Sequence, residues 1–131
     1  MSGRPPGLVH GGDLTYRIIG LAMRVHRHLG PGLLESVYET CLAFELERNN
    51  VPFRRQVTLP VVYDAVYLDF AYVADIIVAD KVVLEIKSVE CLLPVHQAQL
   101  LTYMRLAPCR IGLLLNFNTT SLLKGLKRCV L

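Results

Sequence analysis

The sequence predicts an α/β domain in which a mixed central β-sheet is flanked by helices. Three observations carry that expectation. Apolar residues recur at helical spacing in two stretches near the start, and three β-branched and aromatic segments follow with short polar turns between them. A third helical pattern then leads into a strongly apolar octet, RIGLLLNF. Elements in that order bury their apolar faces most simply as helices packed on one sheet.

Each element has its own signal. Asp13 is placed as an N-cap, after which Leu14, Ile18, Leu21, Val25 and Leu29 form one amphipathic stripe that Gly30-Pro31-Gly32 ends. A second helix is expected over residues 33–48, with Leu34, Val37, Tyr38, Cys41 and Leu42 along one side and Asn49-Asn50 closing it. VPFRRQVTLPVVYD, VYLDFAYVADIIV and KVVLEIKSV read as a three-stranded antiparallel meander. Pro94 opens a third helix running to about Leu106, with Ala98, Leu100 and Leu101 apolar and Tyr103 one turn further on. RIGLLLNF is apolar enough to be covered on both faces, and SLLKGLKRCVL supplies a short helix or turn and a last edge strand.

The chain of 131 residues is expected to form one domain over residues 13–131, preceded by a flexible N-terminal arm over residues 1–12 rich in proline and glycine. No apolar run approaches the ~20 residues of a membrane helix, and the start carries no apolar leader, so a chain without a membrane partner is expected. Cysteines 41, 91, 109 and 129 are too far apart for CxxC motifs and read as reduced, mostly buried thiols, which points to the cytoplasm. Apolar residues make up 53% and charged ones 19%, against about 45–50% and 25% in ordinary globular chains. That excess predicts a homo-oligomer joined through apolar surface. A net charge of +3 is too small to prove nucleic-acid binding. Arg24, Arg27, Arg54, Arg55, Lys124, Lys127 and Arg128 come in small groups that suit either phosphates or solvated faces.

The chemistry concentrates in DIIVADKVVLEIK, residues 75–87. A turn centred on Asp80 sets Asp75 across from Glu85, and the two-residue side-chain period brings Lys87 to the same face while Leu84 and Ile86 anchor the other. Mg²⁺ takes one or two protein carboxylates and leaves its remaining positions to water and phosphate, which fits Asp75 and Glu85 with the backbone carbonyl of Ile86. The Lys87 ammonium suits a role in favouring hydroxide and steadying developing phosphoryl charge. A half-buried sheet edge with a Glu85–Lys87 pair and no metal explains the same spacing. On the third helix, Gln99 and Tyr103 lie four apart and His96 three before Gln99, so all three share a face. A plain helix surface with one buried tyrosine accounts for them too. Glu35 is where a capping carboxylate belongs if Gly32 is the N-cap, and Tyr38 reads equally as a core aromatic.

These residues resemble a known family. GPGLLESVYE at 30–39 is similar to the signature of the GxxExxY proteins, through Gly32, Glu35 and Tyr38, and the likeness continues through Asp75, LEIK, PVHQAQLLTY and GLLLNFN. That family is similar in turn to the PD-(D/E)XK nuclease superfamily, whose restriction-endonuclease-like core has the order α-β-β-β-α-β, and QLLTY at 99–103 resembles the QxxxY element of its exonuclease-like members. The resemblance implies acidic metal-side roles for Glu35, Asp75 and Glu85, a catalytic role for Lys87, and support from Gln99 and Tyr103. It further implies a Mg²⁺- or Mn²⁺-dependent hydrolase of phosphodiester bonds with nucleic acid as its partner. A non-catalytic binding or assembly module on the same fold is the alternative. Two positions depart from the pattern. Val73 stands where many relatives carry an arginine, and Gln97 where they commonly carry a glutamate.

Overall fold

A computed structural model describes residues 12–131. The arm expected over residues 1–12 lies outside the described residues, save for Gly12, which is the first residue of α1. The order is α1 (Gly12–Leu29), α2 (Glu35–Arg48), β1 (Phe53–Tyr63), β2 (Val66–Val78), β3 (Val82–Lys87), α3 (Pro94–Leu106), β4 (Ile111–Asn116), a 3₁₀ turn (Leu122–Gly125) and β5 (Leu126–Val130). The described strands form one five-stranded sheet in chain order. β1–β2, β2–β3 and β4–β5 are antiparallel, and β3–β4 is the parallel pair that makes the sheet mixed. A parallel neighbour cannot be reached by a tight turn, and α3 provides the crossover.

Alternation along the central strands sorts the core into two layers. Val82, Leu84 and Ile86 of β3 pack with Ile18, Ala22 and Val25 of α1 and Tyr38, Leu42 and Leu46 of α2. Val83 faces the opposite way, against Leu100, Tyr103 and Met104 of α3. Every residue of β4 is buried, as a strand covered on both faces requires. Each fully buried Leu, Ile or Val contributes roughly 1.5–3 kcal/mol, so these two layers hold the sheet between the helices.

Local details correct the expectations. Asp13 lies in the first turn of α1 rather than at its N-cap. α2 starts at Glu35 with Leu34 as its N-cap, so Glu35 is the first helical residue and Gly32 caps nothing. The buried face of α2 is Tyr38, Leu42 and Leu46, while Leu34 is 73% exposed, because the helix begins two residues later than the apolar pattern suggests and leaves Leu34 at the N-cap. On α3 the buried residues are Leu100, Tyr103 and Met104, and Ala98 faces outward. Cys109 and Cys129 are buried, Cys41 is half-buried and Cys91 exposed, all as free thiols. Asn50 closes α2 at φ 58°, the left-handed conformation that asparagine tolerates.

The hairpin turn between β2 and β3 is where the sequence placed it. Ala79 and Asp80 have φ of 53° and 54°, and the Lys81 N–H donates to the Val78 carbonyl at 2.9 Å. Two successive positive φ values reverse the chain tightly with the twist of the strands, in a three-residue loop of Ala79, Asp80 and Lys81. This fixes the register as Val78 with Val82, Ile77 with Val83 and Ile76 with Leu84.

Candidate active site

One step beyond Ile76–Leu84 the register brings Asp75 opposite Glu85, and there side chains replace the ladder. The Asp75 N–H donates to Glu85 Oε1 at 3.1 Å, and the Ile86 N–H donates to Asp75 Oδ2 at 2.8 Å. Two backbone donors that would otherwise be stranded as β2 and β3 part are satisfied by the two carboxylates. The same bonds hold both carboxylates in place at the mouth of the split.

The start of α2 closes the site from the side. Gly30 and Gly32 take φ of 72° and 97°, which L side chains rarely adopt, so the GPG loop turns sharply into the helix. The buried Tyr38 hydroxyl donates to the Gly30 carbonyl at 2.6 Å and accepts the Leu33 N–H at 3.1 Å, and its ring stacks on Phe117 at 4.5 Å. Ser88, just past β3, donates its hydroxyl to the Leu33 carbonyl at 2.6 Å and its N–H to Glu35 Oε2 at 3.1 Å. Loop and strand end are thereby tied together. Between them lies a groove of about 540 Å³ whose lining includes Glu35, Glu39, Asp75 and Ser88.

Electrostatics follow from this crowding. Glu85 is 4% exposed. Burial first, and then the neighbouring Asp75 carboxylate, push its carboxyl up to about 8, against smaller lowering contributions from the Asp75 N–H and the Lys87 ammonium. Asp75 is also raised, mainly by burial and further by Glu39 and Glu35, with the Ile86 N–H and Lys87 acting the other way. Burial and the fields of Glu85, Asp75 and Tyr72 push the Tyr103 hydroxyl up to about 12. Asp75 and Glu85 therefore feel each other and Lys87, and Tyr103 on α3 feels both carboxylates.

The other candidates are placed differently. Glu35 acts on both acidic residues electrostatically, but its carboxylate is engaged with Ser88. Gln99 is half-buried one turn before Tyr103 on α3, and no hydrogen bond joins its amide to the carboxylates. His96 does not join them either, because its Nδ1 accepts the Leu93 N–H at 3.0 Å and closes the start of α3. Val73 sits opposite Thr58, and Gln97 is exposed. Among the described residues no three His, Cys, Asp or Glu side chains stand close enough together to hold a metal ion. Two carboxylates with the Ile86 carbonyl nonetheless match the hard-oxygen donor set of Mg²⁺ or Mn²⁺, and a divalent cation would relieve the repulsion that raises Glu85.

Sequence reasoning missed Glu39, Ser88 and Asn116. Glu39 is buried one turn after Glu35 and accepts from Arg55 Nε at 3.1 Å and Gln56 Nε2 at 2.9 Å, while Gln56 holds φ of 49° within β1. The i,i+4 spacing of Glu35 and Glu39 was the available signal. Asn116 is buried at the end of β4, where its amide donates to the Val89 carbonyl at 3.0 Å and accepts the Val89 N–H at 3.1 Å. It steadies the chain leaving Lys87, and a lone amide ending an apolar strand was its mark. Among the grouped cations, Arg24, Arg54 and Arg55 are paired with Glu45, Asp80 and Glu39.

No helix among the described residues is long and apolar enough to cross a membrane. No curated protein and no solved structure matches the chain. The profile of the PD-(D/E)XK nuclease superfamily matches residues 12–129, nearly the whole length. With its carboxylates and lysine at the parting of two central strands, the chain belongs to the PD-(D/E)XK nuclease superfamily.

Proposed function

We propose that this protein is a Mg²⁺- or Mn²⁺-dependent nuclease that hydrolyses phosphodiester bonds of nucleic acid in the cytoplasm. The observation that carries the reading is the Asp75–Glu85 pair, fixed by two backbone N–H groups where β2 and β3 part, with Lys87 beside it. Asp75, Glu85 and the Ile86 carbonyl would hold the ion, which supplies Lewis acidity and offsets charge on the phosphate. Lys87 lies on the same strand face as Glu85, where its ammonium stabilises the charge that builds on phosphoryl oxygens. Tyr103 stays protonated at neutral pH and so remains a hydrogen-bond donor for a phosphate oxygen. Gln99 adds a neutral amide one turn along the same helix. Glu35 supports the metal side by holding the end of β3 through Ser88 rather than by joining a three-carboxylate cluster.

A second reading, a binding or assembly module on the nuclease fold, is favoured by one observation. Three of the arginines available for phosphates are already engaged by carboxylates. Calorimetric titration of Mg²⁺ and Mn²⁺ into the metal-free protein, beside Glu85→Gln, separates the two. The nuclease reading expects binding that Glu85→Gln removes, together with metal-dependent cutting of single- or double-stranded DNA or RNA. A folded protein that neither takes up either ion nor cuts any of these leaves the second reading.

A further inference from the structure

β2 pairs with β3 only over Ile76–Val78, so the distal parts of β1 and β2 form a two-stranded ribbon standing clear of the rest of the sheet. Its root is covered, because Val57, Leu59 and Ala74 pack with α3. Its end is not. Val62, Tyr63, Val66, Tyr67 and Leu68 are 50–76% exposed. A bare two-stranded ribbon is marginal in water, and this one exposes tyrosine, valine and leucine rather than charge. From Gln56 to Asp80 there is no lysine, arginine or histidine, while Asp64 and Asp69 stand exposed near the tip. A polyanion is therefore a poor occupant, and so is a second ribbon, which would set these aspartates against their own copies.

The complementary surface is on the same chain, between α1 and α2. There a groove of about 530 Å³ is floored by Val25, Leu29 and Cys41 and flanked by Phe44, which is 59% exposed. Arg24, His28 and Arg48 rim it. Arg24 and Arg48 lean on one carboxylate, Glu45, at 3.7 and 2.9 Å, so two cations share one anion and the rim keeps excess positive charge.

We propose that the protein dimerises by reciprocal exchange, the ribbon tip Tyr63–Leu68 of each copy seating in the α1–α2 groove of the other, with Asp64 and Asp69 meeting Arg24 and Arg48. Area supports reciprocity over a single seat. Five exposed Val, Leu and Tyr side chains offer roughly 500 Å², so one seat buries about 1,000 Å² over both surfaces and two bury about 2,000 Å², where stable interfaces lie near 1,600 Å². A two-fold axis satisfies both seats at once and leaves no free end to build a filament.

Charge exchange tests it. By light scattering or sedimentation at micromolar concentration the native chain runs at twice its 14.7 kDa. Asp64→Arg with Asp69→Arg, and separately Arg24→Glu with Arg48→Glu, each raise the dissociation constant about 100-fold or more. A mixture of the two variants restores a heterodimer, because both of its seats again join opposite charges. The contact is also read without changing any charge, from Ala65→Cys in a Cys91→Ser background. A short bis-maleimide then links the introduced thiol to Cys41 of the second copy. A native monomer at all concentrations, a groove variant that dimerises unchanged, or linkage that avoids Cys41 would overturn the assignment.

Discussion

The two halves of β2 invert the usual rule of what a protein hides. Toward β3, the strand buries Ala74, Ile76, Ile77 and Val78 and holds the Asp75 carboxylate half-buried against Glu85. Toward the tip, the same strand leaves Val66, Tyr67 and Leu68 at least half exposed. The difference lies in the neighbours. Where β2 has β1 on one side, β3 on the other and helices above and below, a charge can be held because backbone donors are freed to hold it. Where only β1 remains, even an apolar side chain has nothing to cover it. Acid at the covered end and apolar surface at the bare end both run against stability, and each marks a place where a ligand or a partner is called for.

The covered end should respond most strongly, and to pH. The Glu85 carboxyl is raised from 4.5 to about 8, so the folded chain binds a proton that the unfolded chain has released between those values. Stability is then full below about pH 4.5 and falls as pH rises through 8. The difference is at most about 4–5 kcal/mol at 1.36 kcal/mol per unit. Chemical denaturation of the metal-free protein at pH 5 and pH 8.5 should show that fall, and Glu85→Gln should flatten it. Mg²⁺ should flatten it too by stabilising the ionised pair. An equal pH dependence in Glu85→Gln would assign the slope to other groups.

Next comes Lys87. Removing a positioned charge-stabilising group typically costs ~10²-fold or more, about 2.7 kcal/mol in the transition state, so Lys87→Ala should cut nucleic acid at least ~100-fold more slowly. Its strand position gives no packing reason for a lysine, since its partner in β4 is Asn116 at the end of the strand. The variant should keep its melting temperature within a few degrees. Unchanged cutting by a folded Lys87→Ala would remove Lys87 from the chemistry.

Much of this was legible in the sequence, for identifiable reasons. Strand parity and a tight turn centred on Asp80 are local properties, so the facing of Asp75 and Glu85 followed from counting residues. The apolar run Ile111–Asn116 announced a strand covered on both sides. What local reading could not supply was contact between distant segments. Glu35 looked like a cap, yet its partner is Ser88, 53 residues away. His96 shared a helical face with Gln99 by spacing, but its ring was claimed by the Leu93 N–H at the helix start. The ribbon's exposure was equally hidden, because strand periodicity does not reveal how many strands will stand beside it.

Tyr38 tests how far the α2 start depends on one hydroxyl. Its donation to Gly30 and acceptance from Leu33 are both part-buried, and Tyr38→Phe leaves those two groups without that partner. A loss of about 1–3 kcal/mol is expected. The loop it holds also carries the Ser88 contacts, so metal affinity in calorimetry should weaken alongside the melting temperature. Loss of stability with unaltered affinity would separate the loop from the site.

The bare end of the ribbon should respond least. Tyr63 and Tyr67 are 76% and 62% exposed, so replacing both with serine removes little area that the monomer buries. Surface substitutions of this kind usually stay within about 0.5 kcal/mol each, and here some loss of cross-strand packing between Val62 and Tyr67 adds to it. Denaturation at a concentration low enough to dissociate any assembly should therefore shift by no more than about 1 kcal/mol. At high micromolar concentration the native chain should gain stability from association, and the Tyr63→Ser, Tyr67→Ser double variant should not. If the variant is equally destabilised at every concentration, the tyrosines hold the ribbon itself together and the bare end belongs to the fold rather than to a partner.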